Sequence, residues 1–121
     1  MKTIKILFVV VFVLSITSAA KAQNFNYKLD GPFAATSTFR ANGACEMCKH
    51  RIEKSLTQNK AIWSADWNVN TKTVRVTYDR LKINANDIQQ IVAAAGHDTE
   101  KFKGKDDTYS KLPDCCHYAR M

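Results

Sequence analysis

From Trp63 to Tyr78 apolar residues fall on every second position either side of a polar turn, which restricts this stretch to a two-stranded hairpin with one buried face. Trp63, Ala65, Trp67 and Val69 share a side opposite Ser64, Asp66, Asn68 and Asn70. Beyond the turn, Val74, Val76 and Tyr78 alternate with Thr73, Arg75 and Thr77. Both tryptophans are therefore expected in the core. The flanking segments repeat differently. Cys48, Ile52 and Leu56 recur every fourth residue among Lys49, Arg51, Glu53 and Lys54, which predicts an amphipathic helix over 46–57, ended by Asn59-Lys60.

Asn84 stands three residues before Asp87, the pattern of an N-cap with an acidic third position, and Ile83 is placed to staple onto Ile88. The second helix predicted there carries Ile88, Ile91, Val92 and Ala95 on its apolar face and stops at Gly96. A first strand is predicted over 35–41, with Ser37, Phe39 and Ala41 on one side, and Thr99 to Phe102 supplies a weak fourth. The order βαββαβ implies an α+β, ferredoxin-like sandwich in which two helices cover one face of an antiparallel sheet.

The chain opens on a positive Met1-Lys2-Thr3-Ile4-Lys5, an apolar run from Ile6 to Leu14, and small residues ending in Ala20-Lys21-Ala22. This is the pattern of a signal peptide cut after Ala22, and the apolar run is shorter than the ~20 residues a membrane-spanning helix needs. Residues 1–22 are read as a cleaved signal, 23–34 as a flexible approach, 35–104 as one domain and 105–121 as a tail. The mature protein is then expected in the periplasm or secreted, with no stable membrane insertion. Loss of Lys2, Lys5 and Lys21 takes the formal charge from +7 to +4, and no arginine-rich run interleaved with aromatics suggests nucleic acid as a partner.

Four cysteines fall as two tight pairs, Cys45/Cys48 and Cys115/Cys116. A disulfide within either pair closes a very small ring and adds little stability, although bridges between the pairs stay open. Cys45-Glu46-Met47-Cys48 lies where loop turns into helix. The free N–H groups and partial positive charge of a helix start favour thiolates. Thiolates select soft ions over hard ones, and two alone suit an ion of low coordination number. Thiol–disulfide exchange uses the same spacing, so a periplasmic redox protein remains the rival reading.

The C-x-x-C of Cys45 and Cys48 between first strand and first helix, within this element order over about residues 36–104, resembles the heavy-metal-associated domain of copper chaperones, metal-transporting ATPase termini and periplasmic mercury-binding proteins. The resemblance implies a non-enzymatic protein whose motif cysteines bind a soft ion, Cu(I) first, with Hg(II), Zn(II) and Cd(II) as further candidates. It implies transient transfer to a metal-transporting membrane protein or another metal-binding protein by ligand exchange. The family usually has Met two residues before the first cysteine, where this chain has Gly43; Met47 instead lies between the thiols. Many relatives place Tyr or Lys after the second helix, where this chain has His97.

His97 is thus a candidate third ligand, and His50 a solvated one-turn neighbour of the motif. Cys115, Cys116 and His117 form a second soft-ligand cluster. Folded back, the tail would add ligands to Cys45 and Cys48, widen the preference toward Zn(II) or Cd(II), and make the chain a sensor or sequestration module. Extended, it would be a separate capture site.

Overall fold

The computed structural model describes residues 32–120. The signal reading, residues 23–31 of the approach segment and Met121 lie outside them. Strand β1 (Ala34–Arg40) leads to helix α1 (Glu46–Thr57), the hairpin strands β2 (Ile62–Asn68) and β3 (Thr73–Asp79), and helix α2 (Ala85–Ala94). The strands form one antiparallel sheet in the order β1-β3-β2. The α+β ferredoxin-like expectation holds.

Register decides which side chains make the core. Phe39 pairs with Val74 on β3 and Trp67 pairs with Val74 from β2, so all three face the helices, and each is at most 2 % exposed. Helix α1 has the bounds the periodicity predicts and buries Cys48, Ile52 and Leu56. Burying three such side chains contributes about 1.5–3 kcal/mol for each large aliphatic one, which is what holds α1 on the sheet.

Trp63 departs from the expected core face. It is only half-buried, and Ile62 takes the core position opposite Tyr78. The cause is a bulge: Ile62 pairs with Tyr78 and Ser64 with Thr77, so Trp63 is an extra residue without an opposite. The turn that follows β2 is set by Asn68, whose Oδ1 accepts from the N–H groups of Asn70 at 2.8 Å and Thr71 at 3.0 Å.

Helix α2 starts as its sequence directs, with Asn84 Oδ1 accepting from Asp87 N–H at 2.9 Å and Ile83 and Ile88 both buried. Its buried face is Ile88, Gln89, Val92 and Ala93; Ile91 and Ala95 are half-buried. Asn84→Ala is expected to cost about 1 kcal/mol, read as a lower denaturant midpoint at unchanged slope. Gly96 ends the turn at φ +97°, a conformation that suits glycine.

The expected fourth strand is reduced to a single bridge, Ala41 to Thr99. Asn42 N–H donates to Asp98 O at 2.8 Å, but Thr99 then folds on itself: its N–H donates to Phe102 O at 2.8 Å and its hydroxyl accepts from Phe102 N–H at 3.0 Å. Those local bonds compete with the ladder and stop it.

The segment after residue 104 is folded onto the domain. It forms a short helix α3 (Asp106–Ser110) and a 3-10 turn over Asp114–Cys116, and buries Leu112 and Cys116 in the main core. Among the described residues no helix is long and apolar enough to cross a membrane.

Candidate metal centre

Cys45 is the N-cap of α1 in extended geometry, with no side chain capping the first turn. Its carbonyl accepts from Cys48 N–H at 3.0 Å and Lys49 N–H at 3.2 Å, which fixes both thiols on one side of the helix start. Their sulfurs are 3.6 Å apart. Cys48 is fully buried and accepts from Ala44 N–H at 3.3 Å, while Cys45 is half-buried at the mouth.

Two further sulfurs come from the other end of the chain. Cys45 Sγ is 3.1 Å from Cys115 Sγ and 3.7 Å from Cys116 Sγ. The ligand atoms of Cys45, Cys115 and Cys116 all lie within 4.8 Å of one another. Met47 points outward from the first turn of α1, and its thioether accepts from the Cys115 thiol at 3.4 Å.

The pKa values of Cys45, Cys115 and Cys116 are shifted in different directions. Burial opposes ionisation of Cys45, but hydrogen bonds with the Cys115 thiol and with the Cys48 backbone and thiol outweigh it and bring the pKa from 9.0 down to about 7. Burial, then the neighbouring Cys48 and Cys45 sulfurs, pushes Cys116 well up, and the hydrogen bond with Cys45 raises Cys115. The thiolate is thus favoured at Cys45 over Cys115 and Cys116.

The two histidines stand elsewhere. His97 is fully buried, its Nδ1 2.8 Å from Asn42 O and its ring stacked on Tyr118 at 5.9 Å. Burial lowers its pKa. It positions the loop before Cys45 and is not in the sulfur cluster. His117 is also outside the cluster, its ring tilted against Tyr109 at 5.1 Å because the chain leaves the 3-10 turn in extended geometry. His50 is exposed, as its place on the charged face implies. Lys49 is engaged away from the sulfurs, with Asp66 at 2.7 Å and Glu53 at 2.8 Å.

Gly43 stands where a side chain has no room. A Cβ there would lie 2.9 Å from Cys48 Cβ and 2.9 Å from the Trp67 ring. The indole fills the space under the cysteine loop and its Nε1–H donates to Ala41 O at 2.9 Å. Beside Gly43, the packing under the cysteine loop is supplied by Trp67 from β2.

Residues that motif reading missed are those that hold the tail. Tyr118 Oη donates to Gly96 O at 2.8 Å and accepts from Asp98 N–H at 2.8 Å. Arg120 makes a forked contact with Asp98, 2.7 Å at Nη2 and 3.1 Å at Nε, and reaches Asp106 at 2.7 Å. An aromatic and an arginine just after a cysteine pair, with Leu112 before it, were the available signal that this segment docks.

The heavy-metal-associated domain family matches residues 38–98. The chain is 28 % identical over 67 residues to the copper chaperone CopZ of Staphylococcus saprophyticus, covering 54 % of this chain and 98 % of that protein. Among solved structures it is similar to a CopZ metallochaperone, at TM-score 0.52 and 26 % identity over 54 % of this chain and 98 % of that one. It is also similar to the N-terminal domain of a potential copper-translocating P-type ATPase from Bacillus subtilis in its Cu(I)-loaded state, at TM-score 0.52 and 27 % identity over 55 % of this chain and 84 % of that one. With the element order, the C-x-x-C at the start of α1 and a match spanning half its length, the chain belongs to the heavy-metal-associated domain family.

Proposed function

We propose that this is an exported, non-enzymatic binding protein for a soft heavy-metal ion, Cu(I) first and Hg(II) as the second candidate, acting as a metallochaperone or scavenger through Cys45 and Cys48. The observation that carries the reading is the pair itself: two sulfurs 3.6 Å apart at a helix start, one buried, the other at the mouth and brought down to about 7. Thiolates in that arrangement favour soft cations. The copper chaperone and the copper-translocating ATPase domain among its relatives support the choice of ion.

Transfer proceeds by exchange: a partner thiolate bonds to the ion as one protein thiolate leaves, so no catalytic base is required. Cys45, the more accessible sulfur, is the one an incoming partner meets first. The partner is a metal-transporting membrane protein or another metal-binding protein, engaged transiently. Export rests on the N-terminal pattern, and is tested by the mass of protein taken from its native compartment, which should begin at Gln23.

Titration of the reduced full chain with Cu(I) against a competing chelator tests the binding role. Tight binding is expected, with Cys45→Ser and Cys48→Ser each weakening it by about 100-fold, the upper range seen even for outer-shell disturbances of metal sites. Unchanged affinity in both variants would overturn the assignment. The 3.1 Å approach of Cys45 and Cys115 favours thiol–disulfide exchange as the second reading. An oxidising dithiol potential with negligible metal affinity is the result that selects it.

A further inference from the structure

We propose that the C-terminal segment is a latched ligand arm: Cys115 and Cys116 join Cys45 and Cys48 in a four-sulfur chelate that retains an ion of tetrahedral preference, Zn(II) or Cd(II), with Arg120 and Tyr118 as the latch. This rests on the reading of Cys45 and Cys48 as the soft-ion pair and adds to it what the tail does.

Geometry is the first argument. A Zn–S bond of about 2.3 Å in a tetrahedron sets neighbouring sulfurs about 3.8 Å apart. Cys45 stands 3.6 Å from Cys48 and 3.7 Å from Cys116, close to that edge. Its 3.1 Å separation from Cys115 has to open, and because Cys48 lies outside the group of sulfurs mutually within 4.8 Å, closing the chelate also requires the exposed Cys115 to leave Met47 and turn toward it.

Pinning is the second. Leu112 is buried in the core before the cysteine pair, and Tyr118 and Arg120 are tied to the loop after α2 beyond it. Asp98, which receives Arg120, is 1 % exposed and also accepts from Gly104 N–H at 2.7 Å. Both flanks of Cys115-Cys116 are held, so the ordering cost of bringing the second pair to the first is met by folding. A closed four-ligand site has no vacant position for a partner thiolate, and exchange then requires the arm to lift. The chain with its arm closed retains its ion; with the arm lifted it exposes the two-sulfur pair.

The test titrates the reduced full chain and a Cys115→Ser/Cys116→Ala variant with Cd(II) and, separately, with Cu(I). The cadmium-113 chemical shift and thiolate-to-metal absorption per ion report how many sulfurs bind. Four are expected in the full chain and two in the variant, with Cd(II) affinity falling by more than about 100-fold and Cu(I) affinity by less than about 10-fold. Because Cys116 is buried, Cys115→Ser alone serves as the second variant, expected to lose one sulfur while keeping the far-ultraviolet spectrum of the parent. Arg120→Gln, which keeps all four thiols, is expected to bind Cd(II) with four sulfurs yet surrender it faster to a chelator. Two sulfurs in the full chain, or equal Cd(II) affinity in parent and double variant, overturns the arm while leaving the Cys45/Cys48 reading standing. Loss of neither ion on removing Cys45 and Cys48 overturns that reading instead.

Discussion

Trp67→Ala is expected to destabilise the protein by about 3–5 kcal/mol, against a typical total of about 5–15 kcal/mol for a small domain. The residue is fully buried, spans the space between the sheet and the loop before α1, and is the largest fully buried side chain among the described residues. Its removal opens a cavity where Gly43 supplies no side chain to collapse into it. It also strands the Ala41 carbonyl, which the indole N–H now satisfies. Denaturant unfolding should show the midpoint falling at constant slope. Trp67→Phe should recover most of the packing yet leave that carbonyl unsatisfied, a residual loss of about 1–3 kcal/mol. Equal stability of the alanine variant and the parent would mean that the loop does not rest on the indole. The same variant should loosen Cys45 relative to Cys48, because the wall beneath their loop is gone.

The second large effect is expected at Arg120. Breaking one partner of a buried ion pair costs about 3–5 kcal/mol, and Arg120 is 18 % exposed, which brings the expectation for Arg120→Ala to about 2–3 kcal/mol. The guanidinium holds Asp98, Asp106 and the Gly104 carbonyl at once and lies over the Tyr109 ring at 4.5 Å. The hydrogen bond with Asp98 raises the pKa of Arg120 further. Amide exchange should accelerate over residues 105–120 while β3 and α1 keep their protection. Arg120→Lys should restore little, since one ammonium cannot reproduce a fork shared among three acceptors. Uniform acceleration across the whole domain would show the tail to be integral to global folding.

What the amino-acid pattern revealed depended on whether neighbours in sequence or neighbours in space decide the structure. Helix α1 was legible because Cys48, Ile52 and Leu56 carry both its period and its buried face. Asn84 and Gly96 bound α2 through their own side chain and backbone freedom, which are local properties. Trp63 was misread because a bulge depends on how many residues of β3 stand opposite, a count no alternation contains. Thr99 looked like a strand residue, yet its hydroxyl and N–H close on Phe102. At the site, the first cysteine pair announced itself through spacing and the order of elements. Cys45 meets Cys115, 70 positions later, in a tail whose Arg120 pairs with a carboxylate buried by the fold itself, and neither contact is local in sequence. His97 has the polarity of a ligand, and burial against Tyr118 is a property of the folded tail alone.

Strand β2 ends the sheet, and the outward backbone groups of such a strand invite a neighbouring molecule to add itself. Here the invitation is withdrawn at both ends: the extra residue at Trp63 breaks the even row, and at Trp67 the N–H donates to Glu53 Oε1 at 3.0 Å while the carbonyl accepts from Lys49 Nζ at 2.8 Å. The charged side chains of α1 thus occupy the positions a foreign backbone would need. Molecules crowded together meet an interrupted border there, which discourages intermolecular sheet growth along β2.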